Sequence, residues 1–103
     1  MEYAQTGMFN EAIEMYKRGI AIDSRIPNLY HNIGNTYDAL GKTKEAEHYF
    51  LKAIDTQPSF IFSYYSLINL YTKTNQIEKR NSLLQKAHQQ FPQNAQFNAL
   101  MRL

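Results

Sequence analysis

The feature that most constrains this chain is that it repeats itself. Sliding the sequence by 34 residues superposes like on like. Tyr3, Tyr37 and Tyr71 coincide, as do Gly7 and Gly41, Glu11 and Glu45, Ala12 and Ala46, and Ile20 and Ile54. In the same register fall Tyr30 with Tyr64, Asn35 with Asn69, Lys52 with Lys86, Ala53 with Ala87, and Pro58 with Pro92. Ile33, Leu67 and Met101 are all apolar. So many agreements in one register are not a chance alignment. A repeat of this length marks a solenoid, in which no unit buries its apolar face alone and each is completed by its neighbours.

The unit is helical. The chain has only 4 Gly and 3 Pro in 103 residues, and it is rich in good helix formers. Tyr30, Ile33, Gly34, Tyr37 and Leu40 recur at helical spacing and form one apolar stripe, and Ala46, Phe50, Ala53 and Ile54 form another. Gly41 suits the left-handed turn that ends a helix, and Asn75, next best in that conformation, takes its place one period on. Pro58 and Pro92 stand where a new helix must begin. These signals predict a partial helix over 1–6, then helices over 9–22, 28–40, 44–57, 61–74 and 78–91, and a partial helix over 95–103.

The middle unit resembles the tetratricopeptide repeat, a pair of antiparallel helices with this period. The fingerprint here reads Tyr30-x2-Ile33-Gly34-x2-Tyr37, then Gly41, Ala46-x3-Phe50, Ala53 and Pro58. Tyr30 replaces the Trp that usually opens it. The resemblance implies an all-α fold, a right-handed α-α superhelix forming a single domain over 1–103. In this phase 27–60 and 61–94 are full repeats, 1–26 is the latter part of one, and 95–103 starts another. Such a phase is expected of a piece of a longer array, or of a chain completed by its neighbours.

One unit departs from the pattern. Ile68 stands where the family prefers a small residue, and Arg80 where it prefers Ala. The family pattern makes these positions face each other, so the helices 61–74 and 78–91 should be pushed apart. A buried, unpaired Arg is costly. Arg80 is therefore expected to snorkel, or to find a carboxylate such as Glu78 or a carbonyl.

No catalytic constellation is present. The chain has no cysteine, which excludes thiolate zinc sites, disulfides and cysteine nucleophiles. His31, His48 and His88 do not have the spacing of metal ligands and read as solvated or groove-lining side chains. No phosphate-cradling loop or nucleophile elbow occurs. Glu11, Glu14 and Arg18 read as a solvated, salt-bridged face. Neither an enzyme nor a cofactor or metal is expected. The net charge of +2, without a dense basic block, argues against nucleic acid and membrane surfaces. The longest uncharged run, Thr56 to Thr72, is too short and polar to span a bilayer. The first residues lack the features of a secretory signal, so a cytoplasmic compartment is the default expectation.

The resemblance implies binding of a peptide or protein segment in a concave groove lined by the first helix of each pair. On this sequence the lining would be Asn28, His31, Asn32, Asn35, Asp38 and Ala39, then Phe62, Tyr65, Ser66, Asn69, Thr72 and Lys73. The last helix would add Gln96, Ala99 and Leu100. A carboxamide both donates and accepts, so Asn32, Asn35 and Asn69 could hold a peptide backbone. Phe62 and Tyr65 would meet a side chain. A subgroup of the family clamps the C-terminal carboxylates of heat-shock chaperones with cations. Here His31, Phe62, Ser66 and Leu100 occupy the candidate places, which argues against that role.

Two other readings have sequence features behind them. Related helical-pair repeats read single-stranded RNA, but the weak charge and the fingerprint count against this. Self-assembly is the stronger alternative. Phe9, Ala12, Ile13, Tyr16 and Ile20 lack most of a partner helix, and Phe97, Leu100, Met101 and Leu103 are expected to lie open at the other end.

Overall fold

A computed structural model describes residues 2–102 of the chain, and the side chains of residues 7–102. Six helices follow one another: α1 (Glu2–Ile22), α2 (Pro27–Ala39), α3 (Thr43–Thr56), α4 (Ile61–Lys73), α5 (Ile77–Gln90) and α6 (Ala95–Met101). No strand occurs among the described residues. Each helix packs on the next, and α2 also touches α4, so the pairs stack side by side.

The turns inside the pairs use the residues that the sequence singles out. Gly41 (φ 77°) and Asn75 (φ 57°) are left-handed. After α2, Gly41 N–H donates to Asp38 O (3.0 Å) and Lys42 N–H to Tyr37 O (2.9 Å). After α4 the same pattern recurs, from Asn75 to Thr72 O (3.2 Å) and from Gln76 to Tyr71 O (2.8 Å). These bonds satisfy carbonyls that the helix end would otherwise orphan.

In the α2–α3 pair, Gly34 lets the Phe50 ring approach the α2 backbone, and both Phe50 and Ala46 are fully buried. Tyr37 stacks on Tyr49 at 5.7 Å beside this crossing. One period on, Ile68 replaces Gly34 and Leu84 replaces Phe50, both buried. The bulk has changed sides. The backbones of α4 and α5 approach each other over much less of their length than those of α2 and α3, as two large residues at the crossing should dictate. Arg80 is half-buried and does snorkel, but its partner is neither a carboxylate nor a carbonyl of the main chain. Its Nε and Nη2 donate to Asn81 Oδ1 at 3.3 and 3.1 Å.

Two expectations at the ends need correction. The sequence pairs Gly7 with Gly41 and so predicts a break, yet α1 runs through Gly7 without one. A six-residue helix is too short to be stable without a packed partner, so continuing α1 keeps the backbone bonded at lower cost. At the far end Phe97 is not open. It is fully buried against Tyr65 (5.0 Å), Phe91 (5.9 Å) and Tyr64 (6.4 Å). Met101 is 42% exposed and Leu100 half-buried, while Leu103 lies outside the described residues.

Candidate peptide-binding groove

The face shared by α2, α4 and α6 carries the predicted groove residues, and its best-formed part lies between α4 and α6. There Tyr65, Ile68, Asn69, Thr72, Gln96, Ala99 and Leu100 line a cleft of about 510 Å³. Ile68 is buried and Tyr65 and Leu100 are half-buried, so they make an apolar base. Asn69, Thr72 and Gln96 are exposed and supply polar edges. Two bonds hold this end in place. Asn94 Oδ1 caps α6 by accepting from Phe97 N–H (2.9 Å), and Asn94 Nδ2 donates to the Tyr65 hydroxyl (2.7 Å). An N-cap of this kind is worth about 1 kcal/mol, and here it also fixes the tilt of Tyr65 over Phe97.

Across α2 and the start of α4 the predicted residues divide. Asn28, Asn35, Asn69 and Lys73 are exposed, and Asn32, Asp38 and Ser66 half-buried. Phe62 is 59% exposed, with its ring edge against Phe60 at 5.6 Å. His31 is a correction. It is 9% exposed and does not open onto the groove. Its Nδ1 lies 2.9 Å from Ser63 Oγ on α4, and its Nε2 3.2 Å from Asn35 Nδ2. Because the Asn35 amide nitrogen can only donate, Nε2 accepts and Nδ1 carries the proton toward Ser63. The rings of Phe50 (5.5 Å) and Phe60 (5.4 Å) close around it. Burial pushes the imidazole below its ordinary pKa. His31 is thus a joint between α2 and α4, and Asn35 spends a donor on it.

The charges cancel internally. Lys73 Nζ reaches Asp38 Oδ1 at 2.7 Å, from α4 to α2. Both residues are expected in the groove, but the pair leaves neither charge free to define a ligand. Sequence reasoning did not place Ser63 and Ile68 here. The signal for Ile68 was its misfit at the Gly34 position. Ser63 carries no sequence signal, because it matters only through the histidine that it meets. Among the described residues no group of His, Asp and Glu could hold a metal ion. No helix among them is long and apolar enough to cross a membrane.

Comparison with known proteins agrees with this geometry. A family model described as TPR repeat matches residues 2–41, and one described as tetratricopeptide repeat matches residues 27–60. Together they span more than half of the chain. The chain belongs to the tetratricopeptide repeat family. A curated relative, Protein bimA of Emericella nidulans, is 36% identical over 58 residues, which are 56% of this chain and 7% of that protein. The chain therefore spans only a small part of that relative. Among solved structures, the first TPR of Spaghetti (RPAP3) superposes with a TM-score of 0.75 at 23% identity, covering 98% of this chain and 82% of that one. MamA superposes with a TM-score of 0.75 at 25% identity, covering 85% of this chain and 48% of that one. These tetratricopeptide solenoids share the fold of this chain.

Proposed function

We propose that this tetratricopeptide chain is a non-enzymatic protein-interaction module that binds an extended peptide segment along the face of α2, α4 and α6. The observation that carries the reading is the cleft between α4 and α6. Its apolar base of Tyr65, Ile68 and Leu100 is flanked by the exposed carboxamides of Asn69 and Gln96. An apolar pocket with a few convergent polar groups is the usual form of a recognition site. Asn69, with Asn32 and Asn35 further along, can pair with both the N–H and the C=O of a peptide.

The Spaghetti (RPAP3) domain was solved with the HSP90 peptide SRMEEVD, and the second TPR domain of human RPAP3 with the HSP70 peptide SGPTIEEVD. Those complexes support a peptide-binding face for a chain of this shape. The acidic C-terminal chemistry of those peptides does not suit the residues here. Lys73 is neutralised by Asp38, and His31, Phe62, Ser66 and Leu100 supply no cation. We therefore expect a neutral segment whose anchor is an apolar side chain.

Selection from a displayed library of random peptides tests the proposal. Selected peptides should lose most of their affinity for the Asn32, Asn35 and Asn69 to Ala triple variant and for Leu100→Glu, while SRMEEVD should bind neither the parent chain nor the variants. Selected peptides that bind both variants as tightly as the parent would overturn the reading.

A further inference from the structure

His31 lies beneath the face of α2 and α4 and is tied to it through Asn35. The imidazole is buried, whereas Asn35, one turn on, is exposed. Asn35 Nδ2 stands 3.2 Å from His31 Nε2. An amide nitrogen has no lone pair to offer, so the ring nitrogen is the acceptor. With Nδ2 committed to the ring, Oδ1 is the carboxamide atom left to face outward. The other side of the ring is fixed by the fully buried Ser63, whose Oγ lies 2.9 Å from Nδ1. The rings of Phe50, at 5.5 Å, and Phe60, at 5.4 Å, hold the imidazole between these two bonds.

We propose that His31 is a positioning residue for the groove: the protons it carries decide which edge of the Asn35 carboxamide a bound peptide meets. This deepens the reading of the α2, α4 and α6 face as a peptide site and rests on it. While Nε2 is unprotonated, Asn35 presents Oδ1, and the partner it selects is a peptide N–H. Once a proton binds Nε2, that nitrogen becomes a donor and repels the amide N–H. A half-turn of the carboxamide restores the bond, with Oδ1 accepting from Nε2–H. The amide nitrogen then faces the groove, and the partner it selects is a peptide C=O. One buried proton thus reverses the hydrogen-bond polarity of one groove position without moving a helix.

The surroundings of the ring suit such a switch. Asn35 faces it from α2, Phe50 from α3, Phe60 from the turn before α4, and Phe62 and Ser63 from α4. None of these side chains carries a charge or titrates near neutrality. The Asp38–Lys73 ion pair stands about two turns further along α2. No carboxylate therefore locks the ring in its charged form, and no cation locks it neutral. Burial holds the imidazole below its ordinary pKa of 6.5, so the exchange falls on the acid side of that value.

Nuclear magnetic resonance on the whole isotope-labelled chain tests the arrangement without a ligand. At about pH 7.5 the long-range nitrogen–proton couplings of His31 should report the Nδ1–H tautomer. An unconstrained imidazole favours the Nε2–H form, so packing alone would not produce this signature. As the pH falls to about 5, the Asn35 amide protons should shift with the same midpoint as the ring and lose their Overhauser contacts to it. An Nε2–H tautomer at neutral pH overturns the proposal, because Ser63 would then donate and Asn35 accept throughout. Asn35 amide signals that ignore the ring titration overturn it as well.

A second arm uses a library-selected peptide with blocked ends and no Asp, Glu or His, chosen because Asn35→Ala binds it more weakly. Its affinity for the parent chain should fall about tenfold between about pH 7.5 and 5, within the range where circular dichroism shows the chain folded. That dependence should vanish in Asn35→Ala and in His31→Gln. An affinity that is flat in the parent chain overturns the proposal. So does a fall that persists in Asn35→Ala, which would mean that protonation loosens the α2–α4 joint instead of turning the carboxamide. A library that yields no peptide counts against the groove and not against the switch, which the spectra judge by themselves.

Discussion

A β-carbon placed on Gly34 would lie 2.7 Å from the Phe50 ring, closer than any side chain can tolerate. The pair is therefore a single packing unit. Its equivalent one period on, Ile68 with Leu84, fills the same crossing with the bulk moved to the other helix. Gly34→Ala should destabilise the chain even though alanine is the better helix former by about 1 kcal/mol. Overpacking of a rigid ring costs about 1–3 kcal/mol and should outweigh that gain. Adding Phe50→Leu should recover part of the loss, since leucine can retreat. Urea unfolding of the two single variants and the double variant measures the coupling. Purely additive effects would show that the two residues are not one unit.

Arg80 gives the opposite expectation. It sits half-buried where Ala46 sits in the preceding pair, and its polar partner is the neighbouring Asn81. Arg80→Ala removes a half-buried stem from α5 and forfeits only the exposed hydrogen bonds to Asn81. Stability should be unchanged or rise by up to about 1 kcal/mol, with slower amide exchange in α5. A loss of more than about 1 kcal/mol would mean that the arginine stem packs productively.

These pairs also show what the sequence makes legible. Helix order, the left-handed turns at Gly41 and Asn75, and the residues around the α4–α6 cleft other than Ile68 follow from the period, because a solenoid reuses one geometry. The period fails where a residue answers to a local partner. His31 turns inward because Ser63 and Asn35 offer it two bonds among aromatic rings. Phe97 sits one position before the periodic aromatic site, which Asn98 occupies, and it takes over the core position between Tyr65 and Phe91. Gly7 has the right neighbour spacing for a turn, but α1 continues through it.

The buried joint at His31 predicts a pH dependence. Burial lowers its folded-state pKa from 6.5, so the folded chain binds fewer protons than the unfolded chain. The stabilising contribution is therefore complete above pH 6.5 and is lost as the pH falls through that value and below it. Urea midpoints measured between about pH 7.5 and 5 should fall toward the acid end. His31→Gln, which keeps donor and acceptor capacity but does not titrate, should flatten that dependence. A slope unchanged in His31→Gln would assign the effect to other groups.

A second polar joint lies on the other side of the stack. The Tyr71 hydroxyl donates to Glu47 Oε2 at 2.6 Å, and Lys79 Nζ reaches the same oxygen at 3.2 Å, so one carboxylate ties α3 to both α4 and α5. Burial, reinforced by the facing carboxylate, pushes the Tyr71 phenol well above its ordinary range. The folded chain thus holds this proton more tightly than the unfolded chain. Its contribution is complete below about pH 10 and is lost as the pH rises beyond that. Tyr71→Phe should cost about 1 kcal/mol near neutrality and should lessen the alkaline loss of stability. Burial also pushes the Tyr64 phenol above its ordinary range, so Tyr64 contributes to the alkaline loss that remains. Glu47→Gln separates the two partners: it removes the ion pair with Lys79 but leaves an oxygen that can still accept from Tyr71. If the tyrosine carries the joint, Glu47→Gln should cost less than Tyr71→Phe in urea unfolding; the reverse order would assign the joint to the lysine.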